Sequence, residues 1–191
     1  MRLVFFDIDE TLFETYAKIN VIKDGNIIKQ LSNKEYNTYT LKDGEYFEYS
    51  EFKSSSLFKQ SKPINNIINS LKDMYNRGCE ISLLTARSDF DDKDSIIDFF
   101  NSYGINVGHY KDKKIHIIRC GNEPGAPAQR KYDVINNILK KRLDIKEIVV
   151  IDDSTTNLSA ISKINISKKL YKVIDNKMIE FIWKGLNEWV N

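Results

Sequence analysis

Cysteine and histidine are scarce in this chain of 191 residues, which contains two of each. Zinc sites are built mainly from these residues, and no pair of them here has the spacing of such a site. Cys79 opens an apolar run and Cys120 closes one, and a free thiol packs there as a small hydrophobe. We therefore expect two buried, reduced cysteines, since a disulfide requires a short Cα separation. A Gly-rich loop of the ATP-binding kind is also missing.

An excess of one charge is missing as well, because 29 basic residues stand against 27 acidic ones and the formal net charge is +2. Such a near balance gives no strong attraction to nucleic acid or to a membrane surface, although it leaves room for a local basic patch. No apolar run approaches the ~20 residues of a membrane span. The first apolar run is too short for the core of a signal peptide, and acids follow it. These absences predict a cytoplasmic protein with no membrane partner.

The most informative segment is Asp7-Ile8-Asp9-Glu10-Thr11, directly behind the apolar run Leu3–Phe6. The run predicts a short buried strand, and acids at i and i+2 beyond it point the same way because strand side chains alternate. Two like charges side by side are costly unless a cation or a transferred proton makes use of them. Asp7 and Asp9 therefore indicate a metal-assisted carboxylate nucleophile with an acid–base partner.

Apolar runs alternate with segments of helical periodicity along most of the chain. This order predicts an α/β fold, a parallel sheet with helices on both faces. The tail beyond Lys177 carries apolar residues at spacings of three and four, which predicts a last amphipathic helix with Ile179, Ile182, Trp183, Leu186 and Trp189 on one face. The predicted strands are 2–6, 79–84, 114–119, 148–151 and 170–174, and the other predicted helices are 63–77, 94–103, 130–141 and 156–163.

Residues 12–62 interrupt the alternation and predict a small β-rich insert, a flap or cap, within a single domain spanning 1–191. Asp24-Gly25 lies between two apolar-rich arms, which is a strong hairpin signal. A second Asp-Gly pair follows at 43–44. We expect the insert to pack through its aromatic side chains Tyr36, Tyr39, Tyr46, Phe47, Tyr49 and Phe52.

Polar residues follow several predicted strands. Thr85, Ala86 and Arg87 come after one strand, and Asp152 and Asp153 come after another. In open α/β sheets ligands bind beyond the carboxyl ends of the strands, so we expect these side chains to meet. Taken singly, each has a plainer interpretation: a strand-ending acid is often an ordinary loop residue, and Thr85 is typical of a helix N-cap.

The order of these pieces resembles the haloacid dehalogenase (HAD) superfamily of phosphohydrolases and phosphotransferases. Its motif hhhhDxDxT matches Leu3–Thr11, and its Thr or Ser after an apolar strand matches Ser82–Thr85. Its Lys near the start of a later helix matches Lys131, and its acidic pair after a strand matches Val149–Asp153. The resemblance spans about residues 1–175 and implies a Rossmann-like fold and a Mg²⁺ cofactor.

The resemblance also implies residue roles. Asp7 would attack phosphorus to form an aspartyl phosphate, and Asp9 would act as the acid and then the base. The metal ligands would be Asp7, the backbone carbonyl of Asp9 and Asp152. Asp153 would either hold a metal-bound water or orient Lys131. The presence of Asp9 favours phosphomonoester chemistry over dehalogenation or ion-pump ATP hydrolysis. Glu10 departs from the Gly that is commoner at its position.

Thr85 and Lys131 would donate to phosphoryl oxygens, with Ala86 in the same substrate-binding loop. Arg87 is predicted either to make a bidentate phosphate contact or to form a structural salt bridge. Arg130, Lys113 and Lys114 compete with Lys131 for the cationic role, and Lys131 is favoured because it stands at a helix start.

The substrate stays open at this point. A small insert leaves the site accessible to a bulky substrate, whereas a homodimer would close it over a small metabolite. The segments 84–87, 119–134 and 151–155 loosely resemble the phosphatase half of bacteriophage-type polynucleotide kinase/phosphatases. We expect a phosphorylated small molecule such as a nucleotide. The alternatives are a polynucleotide 3′-phosphatase that acts on nucleic-acid ends, a protein phosphatase, and a non-catalytic binding module on the HAD fold.

Overall fold

A computed structural model describes residues 1–36, 38–108 and 115–183. Its centre is a six-stranded sheet in the order β11-β10-β9-β1-β7-β8. All neighbouring pairs in this sheet are parallel except β10 and β11. The strands are β1 (Arg2–Phe6), β7 (Glu80–Thr85), β8 (His116–Arg119), β9 (Glu147–Asp152), β10 (Ser167–Ile174) and β11 (Lys177–Glu180).

Helices cover both faces of this sheet because its central strands are apolar on both sides. Val4 and Phe6 of β1 pack on one face, against α3 and α4. Leu3 and Phe5 pack on the other face, against α5 and α6. The predicted α/β class with a parallel sheet is therefore confirmed. The four helices are α3 (Asn65–Asn76), α4 (Lys93–Ser102), α5 (Pro127–Lys141) and α6 (Thr155–Ser162).

The segment 12–62 lies between β1 and α3 and forms two small sheets. β3 pairs with both β4 and β5, and the predicted hairpin turns at Asp24-Gly25, where both residues have positive φ. Three residues of this segment, Ile19, Val21 and Leu31, make its own buried cluster. Its elements are β2 (Phe13–Glu14), β3 (Ile19–Lys23), β4 (Asn26–Leu31), α1 (Asn33–Tyr36), β5 (Glu45–Glu48), a 3-10 turn (Ser50–Lys53), α2 (Ser55–Phe58) and β6 (Lys62–Pro63).

Two sequence predictions were wrong at this level. Pro63 does not begin a helix, since it pairs with Phe13 in the short ladder of β2 and β6, and the helix starts at Asn65. The tail after Lys177 is not helical over its first residues, because Asp175 and Asn176 both adopt positive φ and turn the chain back along β10 as β11. Leu186 and Trp189 of the predicted tail helix lie outside the described residues.

The apolar spacing in the tail therefore does not mark a core face. Ile179 is 48% exposed and Ile182 is 72% exposed. The longest described helix, α5, has 15 residues. None of the helices in the described part of the chain is long and apolar enough to cross a membrane.

Candidate functional site

The candidate site lies where β1, β7 and β9 end together. The N–H of Asp7 donates to the carbonyl of Ile151 over 2.9 Å, which continues the pairing of β1 with β9 by one residue. The chain then turns sharply, because the N–H groups of Leu12 and Phe13 both donate to the carbonyl of Ile8, at 2.9 and 3.0 Å. This turn leaves Asp7 and Asp9 at the sheet edge, where both line a cavity of about 1060 Å³.

Asp7 and Asp152 share one ammonium group. The Nζ of Lys131 lies 2.7 Å from a carboxylate oxygen of each residue. The exposed fractions are 7% for Asp7, 1% for Lys131 and 1% for Asp152. The two carboxylates raise the pKa of Lys131, against the lowering effect of its burial, so the ammonium stays charged. Lys131 reaches this position from the first turns of α5, as the sequence predicted.

Asp152 has further partners from the start of α6. Its carboxylate accepts hydrogen bonds from the N–H of Ser154 at 2.8 Å and from the side-chain amide of Asn157 at 3.0 and 3.1 Å. Asn157 is 93% buried, with an exposed fraction of 7%. Sequence reasoning missed Asn157, although its place five residues after a candidate ligand on a predicted helix was visible. These contacts fix the orientation of Asp152.

Asp7, Asp152 and Asp153 together fit a divalent cation. One carboxylate oxygen from each lies within 4.8 Å of the other two. Burial raises the pKa of Asp7 well above its ordinary value, and Asp152 and Asp153 raise it further, while Lys131 opposes them. Burial and Asp152 likewise raise the pKa of Asp153 to about 7. These raised pKa values reflect burial first and then the neighbouring negative charges, and a cation with hard oxygen ligands such as Mg²⁺ would stabilise the ionised carboxylates.

Asp9 points to a different partner. Arg87 grips its carboxylate with two nitrogens, Nε at 2.8 Å and one terminal nitrogen at 2.6 Å. The same guanidinium donates to the carbonyl of Phe52 at 2.6 Å and to the hydroxyl of Thr15 at 2.9 Å. Of the two roles predicted for Arg87, the salt bridge is therefore the one formed, and its partner is the predicted acid–base residue.

The loop after β7 lies directly under the cavity. Thr85 is fully buried, and its hydroxyl accepts a hydrogen bond from the N–H of Arg87 at 3.1 Å. Ala86, Arg87 and Ser88 line the cavity. Gly121 packs against this loop so closely that an added Cβ would lie 2.3 Å from the backbone of Arg87 and of Ser88. Only glycine fits there, so Gly121 sets the position of the loop.

Glu10 adopts the left-handed conformation, with φ at 54°. This backbone region favours glycine, so a Gly at this position would avoid the steric cost that Glu10 carries. The Glu10 carboxylate accepts hydrogen bonds from the N–H of Thr15 at 3.1 Å and from the amide of Asn33 at 3.2 Å. Burial raises its pKa. Glu10 thus ties the sheet edge to the insert.

The second cation predicted near the site also lines the cavity. Arg130 donates to the carbonyls of Gly121 at 2.7 Å and Glu123 at 3.3 Å. Its Nε is buried and has no hydrogen-bond partner within the described ranges. Lys131 uses two of its three N–H donors on Asp7 and Asp152, which leaves one donor for a further partner. Lys113 and Lys114 lie outside the described residues.

No protein-family model matches the chain, and no curated protein matches it significantly. Among the solved structures, a hypothetical protein from Xanthomonas campestris matches over 87% of this chain, with 15% sequence identity and a TM-score of 0.37. The chain spans 62% of the length of that protein.

Proposed function

We propose that this protein is a Mg²⁺-dependent phosphomonoester hydrolase of the HAD type, working through an aspartyl-phosphate intermediate on Asp7. The observation that carries the proposal is the convergence of Asp7, Asp152 and Asp153 within 4.8 Å at one sheet edge, with Lys131 between two of them. Its position beneath a cavity of about 1060 Å³ gives a substrate access to Asp7. The nucleotide or other small phosphate ester predicted from the sequence is the substrate that we propose.

In the first step, an oxygen of Asp7 attacks phosphorus and forms a new P–O bond while the bond from phosphorus to the leaving oxygen breaks. Asp9 gives its proton to that leaving oxygen. Arg87 makes a bidentate contact with Asp9 through Nε and one terminal nitrogen, which fixes the position of this carboxyl group. Asp9 carries the transferred proton once one of its two oxygens is released from that contact. In the second step Asp9 takes a proton from water, the water oxygen bonds to phosphorus, and the bond between Asp7 and phosphorus breaks.

Charge is the main obstacle to this reaction, because a carboxylate must approach a phosphate dianion. Mg²⁺ held by Asp7, Asp152 and Asp153 would screen that repulsion. Lys131 offsets the charge of Asp7 and Asp152 throughout. Lys131, the loop 86–88 and the first turn of α6 all line the cavity, and these are the groups that we expect to meet phosphoryl oxygens.

The test is phosphate release, with and without Mg²⁺, from a panel of an aryl phosphate, nucleotides, sugar phosphates, a 3′-phosphorylated oligonucleotide and a phosphopeptide. We expect Asp7→Asn to reduce release below detection, because the amide is not a nucleophile, and we expect Asp9→Asn to slow it severely. Asp133→Asn is the matched control, because Asp133 is exposed on α5 and does not line the cavity. Its carboxylate accepts one hydrogen bond from Gln129.

Retained activity in Asp7→Asn would sink the nucleophile assignment, and undiminished rates after chelation would refute the metal role. Preference for the oligonucleotide would favour the polynucleotide 3′-phosphatase. Silence of the folded protein toward the whole panel would favour the non-catalytic binding module.

A further inference from the structure

The wall of the cavity facing the carboxylates is built from aromatic rings of the insert. The cavity is lined there by Tyr36, Tyr39, Phe47, Tyr49 and Phe52, and the same cavity reaches Asp7 and Lys131. A substrate whose phosphate meets Asp7 therefore extends its alcohol part through a space bounded by rings. The proposal built on this wall rests on the proposed phosphatase function, because it uses Asp7 as the phosphate end.

These rings are only partly used in packing the insert. The cluster of the insert has three buried residues. Four partly buried rings pack against it, those of Tyr36, Tyr39, Phe47 and Phe52. Phe47 contacts Tyr36 edge to face, with ring centroids 4.8 Å apart. Tyr49 is 44% exposed although it lines the cavity. Exposed aromatic surface inside a cavity is costly in water, and a ligand that covers it gains free energy.

Beside the rings, the insert lines the cavity with four polar or charged residues, Asn33, Glu48, Ser50 and Lys53. The carboxylate of Glu48 already accepts hydrogen bonds from Asn20 and Ser50. The hydroxyls of Tyr36 and Tyr49 lie 3.1 Å apart and share one hydrogen bond, which leaves each able to bond a ligand as well. Burial and this hydrogen bond raise the pKa of Tyr49, so its hydroxyl stays uncharged near neutral pH. A sugar alone would need many directed partners, whereas a flat heterocycle needs a ring face and one or two donors or acceptors.

We propose that the aromatic wall is a stacking subsite for a nucleobase, so that the substrate is a phosphorylated sugar that carries a base. Aromatic side chains stack on any base because every base has a π face. The cavity, at about 1060 Å³, is at the upper end of the range for small-ligand sites. A free nucleotide and the end of a nucleic acid both present this chemistry.

The decisive comparison uses two substrates that differ only in the base. We expect kcat/KM for a nucleoside 5′-monophosphate to exceed that for ribose 5-phosphate by about fivefold or more, since stacking on one aromatic side chain contributes about 5- to 150-fold. Equal values for the two substrates would overturn the subsite. Parallel assays with a nucleoside 3′-monophosphate and a 3′-phosphorylated oligonucleotide distinguish a free nucleotide from a nucleic-acid end, and a preference for either over ribose 5-phosphate supports the subsite.

Tyr49→Leu removes the most exposed ring of the wall. We expect it to lower kcat/KM for the nucleotide about 5- to 150-fold and to change the value for ribose 5-phosphate less than about twofold. Tyr49→Phe keeps the ring and should keep most of the nucleotide activity. Tyr46→Leu is the matched control, because Tyr46 is 53% exposed on β5, which ends directly before Tyr49, but does not line the cavity. Equal losses from Tyr49→Leu and Tyr46→Leu would contradict the proposal.

Binding separates this proposal from the proposed function. Calorimetric titration of Asp7→Asn with the nucleotide and with ribose 5-phosphate measures the subsite without turnover. If no phosphate ester is hydrolysed but the nucleotide binds at least about tenfold tighter, the phosphatase proposal fails and the subsite stands. If phosphate esters are hydrolysed but the nucleotide and ribose 5-phosphate bind with equal affinity, the subsite proposal fails and the phosphatase proposal stands. The ratio of kcat/KM for the nucleotide to kcat/KM for ribose 5-phosphate is measured on the wild-type protein. The proposal can therefore still be refuted if Tyr49→Leu does not fold.

Discussion

The sheet edge and the insert build opposite sides of one cavity by different physical means. The sheet edge holds charged groups that are almost completely buried, and each has a named partner: Asp7 and Asp152 with Lys131, and Asp9 with Arg87. The insert presents rings that are half-buried and contact one another edge to face. Charge pairs have strict geometry, whereas ring contacts tolerate sliding. This contrast suits the proposed division, in which the sheet edge carries the chemistry and the insert carries recognition.

The stability of the two sides also has different origins. Buried ion pairs seldom stabilise a fold, because removing charges from water costs about as much as their attraction returns. The sheet edge keeps its charges because two large apolar clusters on the faces of the sheet supply the stability. The insert has a cluster of only three fully buried residues. It is joined to the sheet edge by polar contacts of Arg87 and Glu10, and to the main apolar cluster by the buried rings of Phe13 and Phe58.

Removing the shared cation should have the largest effect on the sheet edge. Lys131→Met leaves Asp7 and Asp152 buried without their counter-charge, so we expect the free energy of unfolding of the metal-free protein to fall by about 3–5 kcal/mol. Urea unfolding measures this change. Lys140→Met, at an exposed position of the same helix, should stay within about 0.5 kcal/mol of wild type. A loss in Lys131→Met no larger than that of the control would mean that the carboxylates do not depend on Lys131.

Weakening the contact between the two sides should have a smaller effect, on catalysis. Arg87→Lys keeps the charge but loses the fork that holds Asp9 together with the Phe52 carbonyl and the Thr15 hydroxyl. We expect kcat to fall about 10- to 100-fold with little change in KM, because Asp9 acts on the leaving group and not on binding.

Arg119→Lys controls for the loss of a guanidinium, since Arg119 pairs with Asp89 at 2.8 Å on the neighbouring strand and does not contact Asp9. Steady-state kinetics with one phosphate ester distinguish the two variants. A rise in KM alone in Arg87→Lys would point instead to the phosphate contact that was the other prediction for this residue.

The smallest expected effect is a pH dependence that belongs to the sheet edge alone. The pKa of Asp153 in the folded protein is raised to about 7, above the ~3.9 of an unfolded aspartate. The folded state therefore binds more protons between these values, and its stability falls as pH rises through about 7. Thermal unfolding of the metal-free protein from pH 5 to 8 should show this fall. Asp153→Asn should make the fall shallower without removing it, because the raised pKa of Asp7 contributes a fall of the same sign. An unchanged slope in that variant would contradict the assignment.

Much of the sheet edge could be predicted from the sequence because its signals are local. The apolar run Leu3–Phe6 predicts a buried strand by its composition alone. Asp7 and Asp9 follow this run directly, so their place at the end of the strand does not depend on the rest of the chain. The ends of parallel strands meet at one edge, so Asp152 and Asp153 were expected beside Asp7, and the structure brings them within 4.8 Å. Lys131 was expected at the start of a helix and lies there.

The wrong predictions concern segments whose structure depends on pairing with residues far away in the sequence. The apolar spacing of the tail fits a helix, but the unpaired edge of β10 accepts β11 once Asp175 and Asn176 have turned the chain. Pro63 suits a helix start, but the partner Phe13 lies fifty residues earlier. A hydrogen-bonded ladder is decided by which strands meet, and periodicity along a single segment carries no record of that meeting.

The sequence by itself determined the α/β class, the carboxylates at the strand ends and the existence of an aromatic insert, since each follows from patterns within about ten neighbouring residues. Only the tertiary structure decided that Arg87 forms a salt bridge with Asp9, that Asn157 orients Asp152, and that rings of the insert line the same cavity as the carboxylates. These are contacts between side chains that stand far apart in the chain. Packing and charge compensation select them when the whole core closes, because buried charges must then find partners.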